Sequence, residues 1–306
     1  EWDKVVIDSP QSNIFFNSKF LEFSPNDYDC YLIYKSNEPV AGVVLCLDKK
    51  NNTKFDEFGI YNGIFYANRE RKKLTGSRVE QFEIMEYTIK VLDSRYDILN
   101  ISLYPNIEDI RPFLWHNYHS EGPKFLVNIK YTSFINLKNF TDKSSSILAN
   151  MSQIRRQQIK YANNSQSIVK ESKDLDLFLK LYSELMKNTE NPLTEDFIKY
   201  FKAFFKKLIE SKLAVIYECK DTSNNTMYMT LFSVFNNKST YLYGVPGINQ
   251  RSFDGTFTLW ESFKKLYLDF EVTELDLEGV NSPQRGFFKL SFGGSLKNYY
   301  QLFLQK

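Results

Sequence analysis

The sequence is short of several features that mark particular protein classes. It has only 12 glycines and 9 prolines in 306 residues, which excludes a collagen-like or other fibrous chain. The three cysteines (Cys30, Cys46 and Cys219) are odd in number and widely spaced, which argues against a disulfide framework. The longest uncharged apolar run, Ala41 to Leu47, is far shorter than the ~20 residues of a membrane-spanning helix. We therefore expect a cytoplasmic protein.

The composition that is present is typical of a globular chain. Hydrophobic residues make up 42% and charged residues 25%, and the length predicts about two domains. With 39 basic and 37 acidic side chains the net charge is +2, which lacks the large basic excess of a dedicated nucleic-acid binder but is compatible with a local basic groove. The chain opens on Glu1, so we expect residues in front of it. A strand-like run follows Lys4 and does not resemble a signal peptide.

Both halves of the sequence predict the same order of elements. Helices are followed by three strands, a helix, a strand, a short aromatic helix and a last strand. The pattern indicates one duplication and an α+β fold (α/β mixed sheet) with two tandem domains, 1–138 and 139–306. Polar residues cluster at the expected boundary, from Leu137 to Lys143. The last strand, Leu296 to Leu304, is placed so that it can pair back on the first domain.

Four local predictions can be compared with the structure. The residues after Lys4 look strand-like, and Phe55 to Tyr66 reads as a strand broken by glycines. A single basic helix is expected from Ser146 to Ala162. Asp174 is a plausible N-cap for a helix that reaches Met186.

Three segments carry a family resemblance: Asp109 to Tyr118, Ile154 to Ala162, and Asp276 to Gly294. Together they resemble the FemABX-like, tandem-GNAT acyltransferases. These include enzymes that add amino acids from aminoacyl-tRNA to peptidoglycan precursors, and relatives found with surface-polysaccharide synthesis. The resemblance covers nearly the whole chain in order, and its C-terminal segment is the most specific. The chain lacks the long helical arm of some members and is more similar to the compact ones.

The C-terminal segment supplies three candidate catalytic residues. An ammonium beside an aromatic ring can stabilise an oxyanion that develops only in the transition state, and the resemblance places the Phe288–Lys289 pair near the transferred aminoacyl group. Glu278 is a candidate general base, because a carboxylate in a partly apolar site can have its pKa raised. The simpler interpretation makes Phe288 a core residue and leaves Lys289 and Glu278 on the surface.

Asp109 is the fourth catalytic candidate, although the resemblance gives it only weak support. Family members of the peptidoglycan type carry a functional Asp in an Asp-Pro pair, and here that position reads Tyr104-Pro105. Asp109 also suits the N-cap of a short helix that has Pro112 in its first turn. On that helix Arg111 is a candidate for gripping a phosphate. Trp115 and Tyr118 are candidates for substrate contact or for the core.

Further substrate-binding candidates lie in two places. Arg155 and Arg156 belong to a basic run that suits the diphosphate of a nucleotide-linked sugar, a tRNA backbone, or simply a solvated helix face. Asn281, Ser282 and Gln284 follow a strand end, where loops commonly line ligand crevices.

The expected co-substrate is an acyl donor, with no tightly bound cofactor and no metal. His116 and His119 lack an evident Cys or carboxylate partner for a metal site. The loops 68–73 and 249–256 match poorly the Gly-rich loop that binds the pyrophosphate of coenzyme A. Lysines 202, 206 and 207 interleave with apolar residues, which allows a peripheral membrane contact or an ordinary amphipathic helix.

The resemblance thus implies an acyltransferase that moves an acyl or aminoacyl group onto an amine of a cell-envelope precursor. The acceptor would be an amino sugar or a peptide, and the donor aminoacyl-tRNA or acyl-CoA. Two alternatives remain open at this point. One is an acyl-CoA-dependent N-acyltransferase of a nucleotide-linked amino sugar, and the other is a non-catalytic ligand-binding protein with the same fold.

Overall fold

The computed structural model describes residues 1–69, 74–138, 140, 146–187 and 189–306. They form two compact units, Glu1–Tyr131 with Lys297–Lys306, and Thr132–Leu296. Both units combine helices with strands, and the second has a sheet of mixed direction. The predicted α+β class with a mixed sheet is confirmed.

The first unit begins with short helices and continues with a three-stranded antiparallel sheet. Its elements are α1 (Trp2–Asp8), a 3-10 turn (Ile14–Phe16), α2 (Ser18–Phe23), β1 (Asp27–Lys35), β2 (Glu38–Leu47), β3 (Gly63–Tyr66), α3 (Leu74–Arg95), β4 (Ile98–Ser102), α4 (Arg111–Trp115) and the start of β5 (Leu126–Asn136). β1, β2 and β3 lie side by side in that order. β4 pairs antiparallel with the last strand of the chain, β11 (Ser295–Gln305).

The second unit carries a longer sheet that positions the candidate site. Its further elements are α5 (Ser146–Asn150), α6 (Gln153–Asn164), β6 (Ile168–Ser172), α7 (Leu175–Met186), α8 (Glu195–Glu210), β7 (Ala214–Lys220), β8 (Thr226–Phe235), β9 (Lys238–Pro246), α9 (Asp254–Phe270), β10 (Glu274–Asp276) and α10 (Pro283–Leu290). The strand order is β5, β10, β9, β8, β7 and β6. β10 and β9 run parallel, and the other pairs are antiparallel.

Side-chain caps fix where the helices of the second unit begin. The Asp174 carboxylate accepts a hydrogen bond from the Leu177 N–H at 2.8 Å, which confirms the predicted N-cap of α7. The Thr194 hydroxyl does the same for α8, accepting from the Phe197 N–H at 3.1 Å. Each bond satisfies a backbone donor that the first helical turn leaves without an intrahelical partner.

The apolar face of α8 packs into the interior of the second unit. Phe201, Phe204, Phe205 and Leu208 are all buried, and the Phe201 ring lies 5.2 Å from the ring of Tyr243 on β9. A membrane-binding helix would need that face outside. The apolar face on which the expected membrane contact depended is therefore part of the core.

Three local predictions were wrong. Residues 2–8 form α1, whose Val5 and Val6 are buried one after the other on the inner side of a helix. The predicted strand Phe55 to Tyr66 is a strand only from Gly63, because the partly buried Asp56 carboxylate folds the preceding segment into a loop. The predicted basic helix is divided into α5 and α6 at residues 151–152, where the Ser152 N–H donates to the Ser291 carbonyl at 2.9 Å.

Candidate functional site

The candidate site of the second unit lies where the parallel strands β9 and β10 part. They pair only over residues 238–240 and 274–276. β9 then continues, while the chain leaves β10 in a turn at Glu278, whose φ of 56° is in the left-handed region. Buried Asp276 holds this turn, because its carboxylate accepts the Glu278 N–H at 2.8 Å and the Thr132 hydroxyl. Crevices at the carboxyl ends of parallel strands are common ligand sites.

Lys289 reaches this turn from α10. Its ammonium donates to Glu278 Oε2 at 2.9 Å, to the Glu278 carbonyl at 3.2 Å and to the Gly279 carbonyl at 3.5 Å. The Lys289 residue is 8% exposed, whereas a third of the Glu278 side chain is open to solvent. The simpler interpretation of a solvated Lys289 is wrong, because these bonds compensate its burial.

The sequence interpretation missed a tyrosine under this ammonium. Lys289 Nζ lies 5.3 Å from the ring centre of Tyr241 on β9, a cation–π distance. Burial, and next the neighbouring Tyr228 hydroxyl, raise the pKa of Tyr241 well above its usual value, so it stays neutral. A Cβ on Gly244 would come within 1.9 Å of the Tyr241 hydroxyl and 2.8 Å of the Tyr228 hydroxyl. A glycine inside a strand signals such a close approach, and Gly244 was the available clue.

Phe288 and Arg155 form the side of the site next to α6. Phe288 is half-buried, and the guanidinium carbon of Arg155 lies 4.5 Å from its ring centre. Arg155 also donates to the Ser291 hydroxyl at 2.7 Å and to the Thr256 hydroxyl at 3.0 Å. Burial lowers the pKa of this guanidinium. The structure thus brings Arg155, predicted to bind substrate, against the Phe288–Lys289 pair.

The remaining predicted residues of this unit have different surroundings. Asn281, Ser282 and Gln284 are exposed in the segment that leads into α10, with Ser282 at the N-cap position. The sequence interpretation did not single out Phe287 on α10, which is 78% exposed. Glu278, with φ 56°, makes the turn before α10, and Gly293 takes the left-handed conformation after it, with φ 80°. Arg156 is exposed on another side of α6.

Asp109, Arg111, Trp115 and Tyr118 form a separate group in the first unit. Arg111 donates to both carboxylate oxygens of Asp109, at 2.8 and 2.6 Å, and this bond holds the pKa of Asp109 below its usual value. The guanidinium also lies 5.5 Å from the ring centre of Trp115, which is half exposed, as is Tyr118. The predicted N-cap was wrong: the N-cap residue of α4 is Ile110, and Asp109 accepts instead from the Arg111 N–H at 3.2 Å.

An ion pair between Arg251 and Asp254 lies at the start of α9. Asp254, fully buried in the first turn, accepts from Arg251 through its N–H at 2.7 Å, Nε at 3.1 Å and Nη2 at 2.8 Å. Gln158 on α6 adds a bond to the Ser252 carbonyl at 2.9 Å. The positive end of the helix dipole, where a pyrophosphate would bind, therefore already faces a carboxylate. Within the corresponding loop of the first half, residues 70–73 lie outside the described residues.

The described residues contain neither a cluster of metal ligands nor a membrane-spanning helix. Among them there is no group of three or more His, Cys, Asp or Glu side chains placed to hold a metal ion. Of the helices in the described ranges, none has the length and hydropathy required to cross a bilayer.

Comparison with known proteins establishes the fold. No protein-family model and no curated protein sequence matches the chain. Among solved structures, it is similar to FemX with a TM-score of 0.67 and 14% identity, covering 98% of this chain and 94% of FemX. The C-terminal domain of a putative lysylphosphatidylglycerol synthetase from Agrobacterium fabrum gives a TM-score of 0.54 at 9% identity, covering 100% and 90%. A tandem GNAT protein from the clavulanic acid biosynthesis pathway gives 0.51 at 13% identity, covering 94% and 85%. The chain has the FemX-type tandem GNAT acyltransferase fold.

Proposed function

We propose that this chain, which has the FemX-type tandem acyltransferase fold, is a cytoplasmic enzyme that transfers an aminoacyl group from aminoacyl-tRNA to an amine. The acceptor would be an amino sugar or a peptide of a cell-envelope precursor. The observation that carries the proposal is the buried Lys289 ammonium at the end of β10, 2.9 Å from the Glu278 carboxylate and next to Phe288. A cation and a base side by side are what ester aminolysis requires.

The chemistry is the conversion of an ester into an amide. The acceptor amine attacks the ester carbonyl, a C–N bond forms, and the carbonyl oxygen becomes an oxyanion. Lys289 stabilises this charge after its longest bond, 3.5 Å to the Gly279 carbonyl, gives way to the oxyanion. Glu278 takes the proton that the amine loses. The ester C–O bond then breaks, and the departing ribose hydroxyl receives that proton from Glu278.

The surrounding residues position these two groups. Tyr241 holds the Lys289 ammonium over its ring, and Asp276 holds the Glu278 turn. Phe288, backed by Arg155, shapes the pocket for the transferred group. A fixed arrangement of this kind saves reorganisation in the transition state.

The start of α9 favours an aminoacyl ester over acyl-CoA as the donor. The Asp254 carboxylate, bound by Arg251, occupies the helix end at which acetyltransferase-type domains bind the pyrophosphate of coenzyme A. Thermal unfolding with coenzyme A and with a tRNA pool distinguishes the donors, because a ligand at 100 times its Kd stabilises by ~2.7 kcal/mol. A shift with coenzyme A and none with tRNA would establish the acyl-CoA alternative, whereas tight binding of one ligand without transfer would indicate a non-catalytic protein.

We assign recognition of the acceptor to the exposed polar and aromatic candidates. In the first unit, Asp109 fixes the Arg111 guanidinium beside the half-exposed ring of Trp115. The exposed ring of Tyr118 follows three residues later in the sequence. Rings of this kind suit the apolar face of a sugar or a peptide side chain. Independently of that group, we assign Asn281, Ser282 and Gln284 to hydrogen bonds with a substrate held at the second unit.

The decisive experiment is single-turnover aminoacyl transfer by a Lys289→Ala variant. We expect the rate to fall at least tenfold, because the oxyanion loses its cation, while the variant stays folded. Lys199→Ala removes an exposed lysine from α8 of the same unit and serves as the matched control, with an unchanged rate. Equal rates for the two variants would remove Lys289 from the mechanism.

A further inference from the structure

We propose that the face shared by α6 and α9 binds the phosphate backbone of an RNA, at a site distinct from the group around Lys289. This inference rests on the aminoacyl-tRNA donor proposed above, and it names the surface of this chain that would hold such a donor.

A surface pocket of about 360 Å³ lies between the two helices. Its lining includes three cations, Arg156 and Lys160 from α6 and Lys264 from α9, against a single carboxylate, Glu261. Buried Ile159 contributes to the lining, so the cations surround an apolar wall. Three cations against one carboxylate give the lining an excess of positive charge next to a low-dielectric wall, which favours an anion.

The positive charge extends along the chain beyond the pocket. Residues 146–170 include Arg155, Arg156, Lys160 and Lys170 but no aspartate or glutamate. The whole chain is almost balanced, with 39 basic and 37 acidic residues, so this stretch is a local concentration of charge. A local concentration of cations suits a polyanion better than a single small anion.

The exposed side chains of α6 favour RNA over a membrane surface. Gln157, Asn163 and Asn164 are exposed amides that can bond to phosphate, ribose hydroxyl or base edges. Tyr161 is 56% exposed and offers a ring on which an unpaired base can stack. A helix that lies in a membrane interface would instead present a broad apolar face.

Arg155 and Arg156 are adjacent in sequence but have different surroundings. The proposed RNA site can therefore be tested separately from the Lys289 group. Arg155 bonds Ser291 and Thr256 and covers the Phe288 ring, whereas Arg156 is exposed and lines the pocket. Replacing Arg156 therefore changes charge on the α6–α9 face without removing a contact to α10.

The test measures binding of a fluorescein-labelled RNA hairpin, with an acceptor-type stem and no amino acid attached, to the full chain, by anisotropy over a range of salt. The variant is Arg156→Ala/Lys160→Ala. The control, Lys202→Ala/Lys206→Ala, likewise removes two exposed cations one turn apart, on α8 of the same unit. We expect the α6 variant to bind at least tenfold more weakly, with a slope of log Kd against log salt smaller by roughly 1.5–2, and the control to stay within twofold of wild type.

Each other outcome has a defined meaning. If wild type binds the hairpin and the α6 variant behaves as the control does, the site is refuted but the tRNA donor stands. If wild type does not bind the hairpin at low salt, both fail. If the α6 variant loses binding to anionic vesicles but not to RNA, the face belongs to a membrane and the inference is overturned. Loss of RNA binding in the α6 variant, with no aminoacyl transfer by wild type, would support the site and refute the proposed reaction.

Discussion

At the residue scale, the Lys289 ammonium donates three hydrogen bonds, all to oxygens of its own chain. Two carbonyls and the Glu278 carboxylate accept them, and the Tyr241 ring covers the remaining side. These bonds offset the desolvation penalty of burying the cation. The same arrangement means that a substrate must displace one of these bonds before the charge can act on it.

Gly244 tests whether the tyrosine under Lys289 matters. A methyl group at this position would meet the hydroxyls of Tyr241 and Tyr228, so Gly244→Ala must push the Tyr241 ring away from its place. We expect the free energy of unfolding to fall by about 1–3 kcal/mol. We expect aminoacyl transfer at saturating substrate to fall at least fivefold in the protein that remains folded.

Gly76→Ala is the matched control, because nothing lies within 4 Å of the added methyl group on α3. It should raise the free energy of unfolding by about 0.5–1 kcal/mol through helix propensity, with unchanged transfer. Urea unfolding and single-turnover rates measure both variants. A fully active Gly244→Ala would show that Tyr241 does not position Lys289.

At the element scale, the loop between β2 and β3 is organised by one partly buried carboxylate. Asp56 accepts from the Tyr28 hydroxyl at 2.6 Å, the Asn26 amide at 2.9 Å and the Phe58 N–H at 2.9 Å. Burial is the largest influence on this group and raises the pKa of Asp56 above its ordinary value of 3.8, despite those bonds.

This shift predicts a pH dependence of stability with a defined sign. The folded state binds the Asp56 proton more tightly than the unfolded state, so its contribution is fully present below pH 3.8 and is lost as pH rises through the folded pKa. Asp56→Asn keeps the shape and removes the ionisation. We expect the stability of wild type relative to this variant to decrease as the pH is raised above 3.8 in urea unfolding series. A difference that is constant or increases with pH would contradict the prediction.

Elements formed by local signals could be predicted, whereas those formed by distant contacts could not. The caps at Asp174 and Thr194 and the apolar spacing of α7 and α8 lie within one stretch of sequence each. The residues from Phe55 onward form a loop instead of the predicted strand because Asp56 bonds to Tyr28, which is distant in sequence. The break before α6 depends on a bond to Ser291, which is also distant in sequence. The sequence around Asp56 and Ser152 does not indicate either contact.

The candidate site shows the same division. The resemblance of the C-terminal segment pointed to Phe288 and Lys289, and carboxylate chemistry pointed to Glu278. The structure brings the Lys289 ammonium to 2.9 Å from the Glu278 carboxylate. Tyr241 comes from another strand, whose neighbours are set by sheet order, so its place under Lys289 could not be inferred from spacing. The roles of all these residues in catalysis stay predictions until the variants are measured.

At the scale of the whole molecule, the first unit depends on the last residues of the chain. β11 pairs residues 301–305 with residues 98–102 of β4, and Leu302 and Leu304 are fully buried among the apolar residues of that unit. We expect Leu302→Ala to lower the free energy of unfolding of this unit by about 2–5 kcal/mol.

Hydrogen exchange of the β4 amides measures this effect locally. Their protection should fall in Leu302→Ala and stay unchanged in Leu268→Ala, which truncates a leucine that is 63% exposed in the second unit. If β4 exchanges at the same rate in both variants, β11 is not what stabilises this part of the first unit.

The pairing of β11 with β4 also determines an order of events during protein synthesis. The second unit is one continuous stretch, Thr132–Leu296, and all of it leaves the ribosome before Lys297–Lys306. Synthesis of the first unit begins earlier, but the unit cannot be completed without that decapeptide. Until then the edge of β4 is unpaired and the apolar residues that contact Leu302 and Leu304 are uncovered. The unit that is translated first is therefore completed last, and the nascent chain carries an open strand edge, exposed to aggregation, until that decapeptide is made.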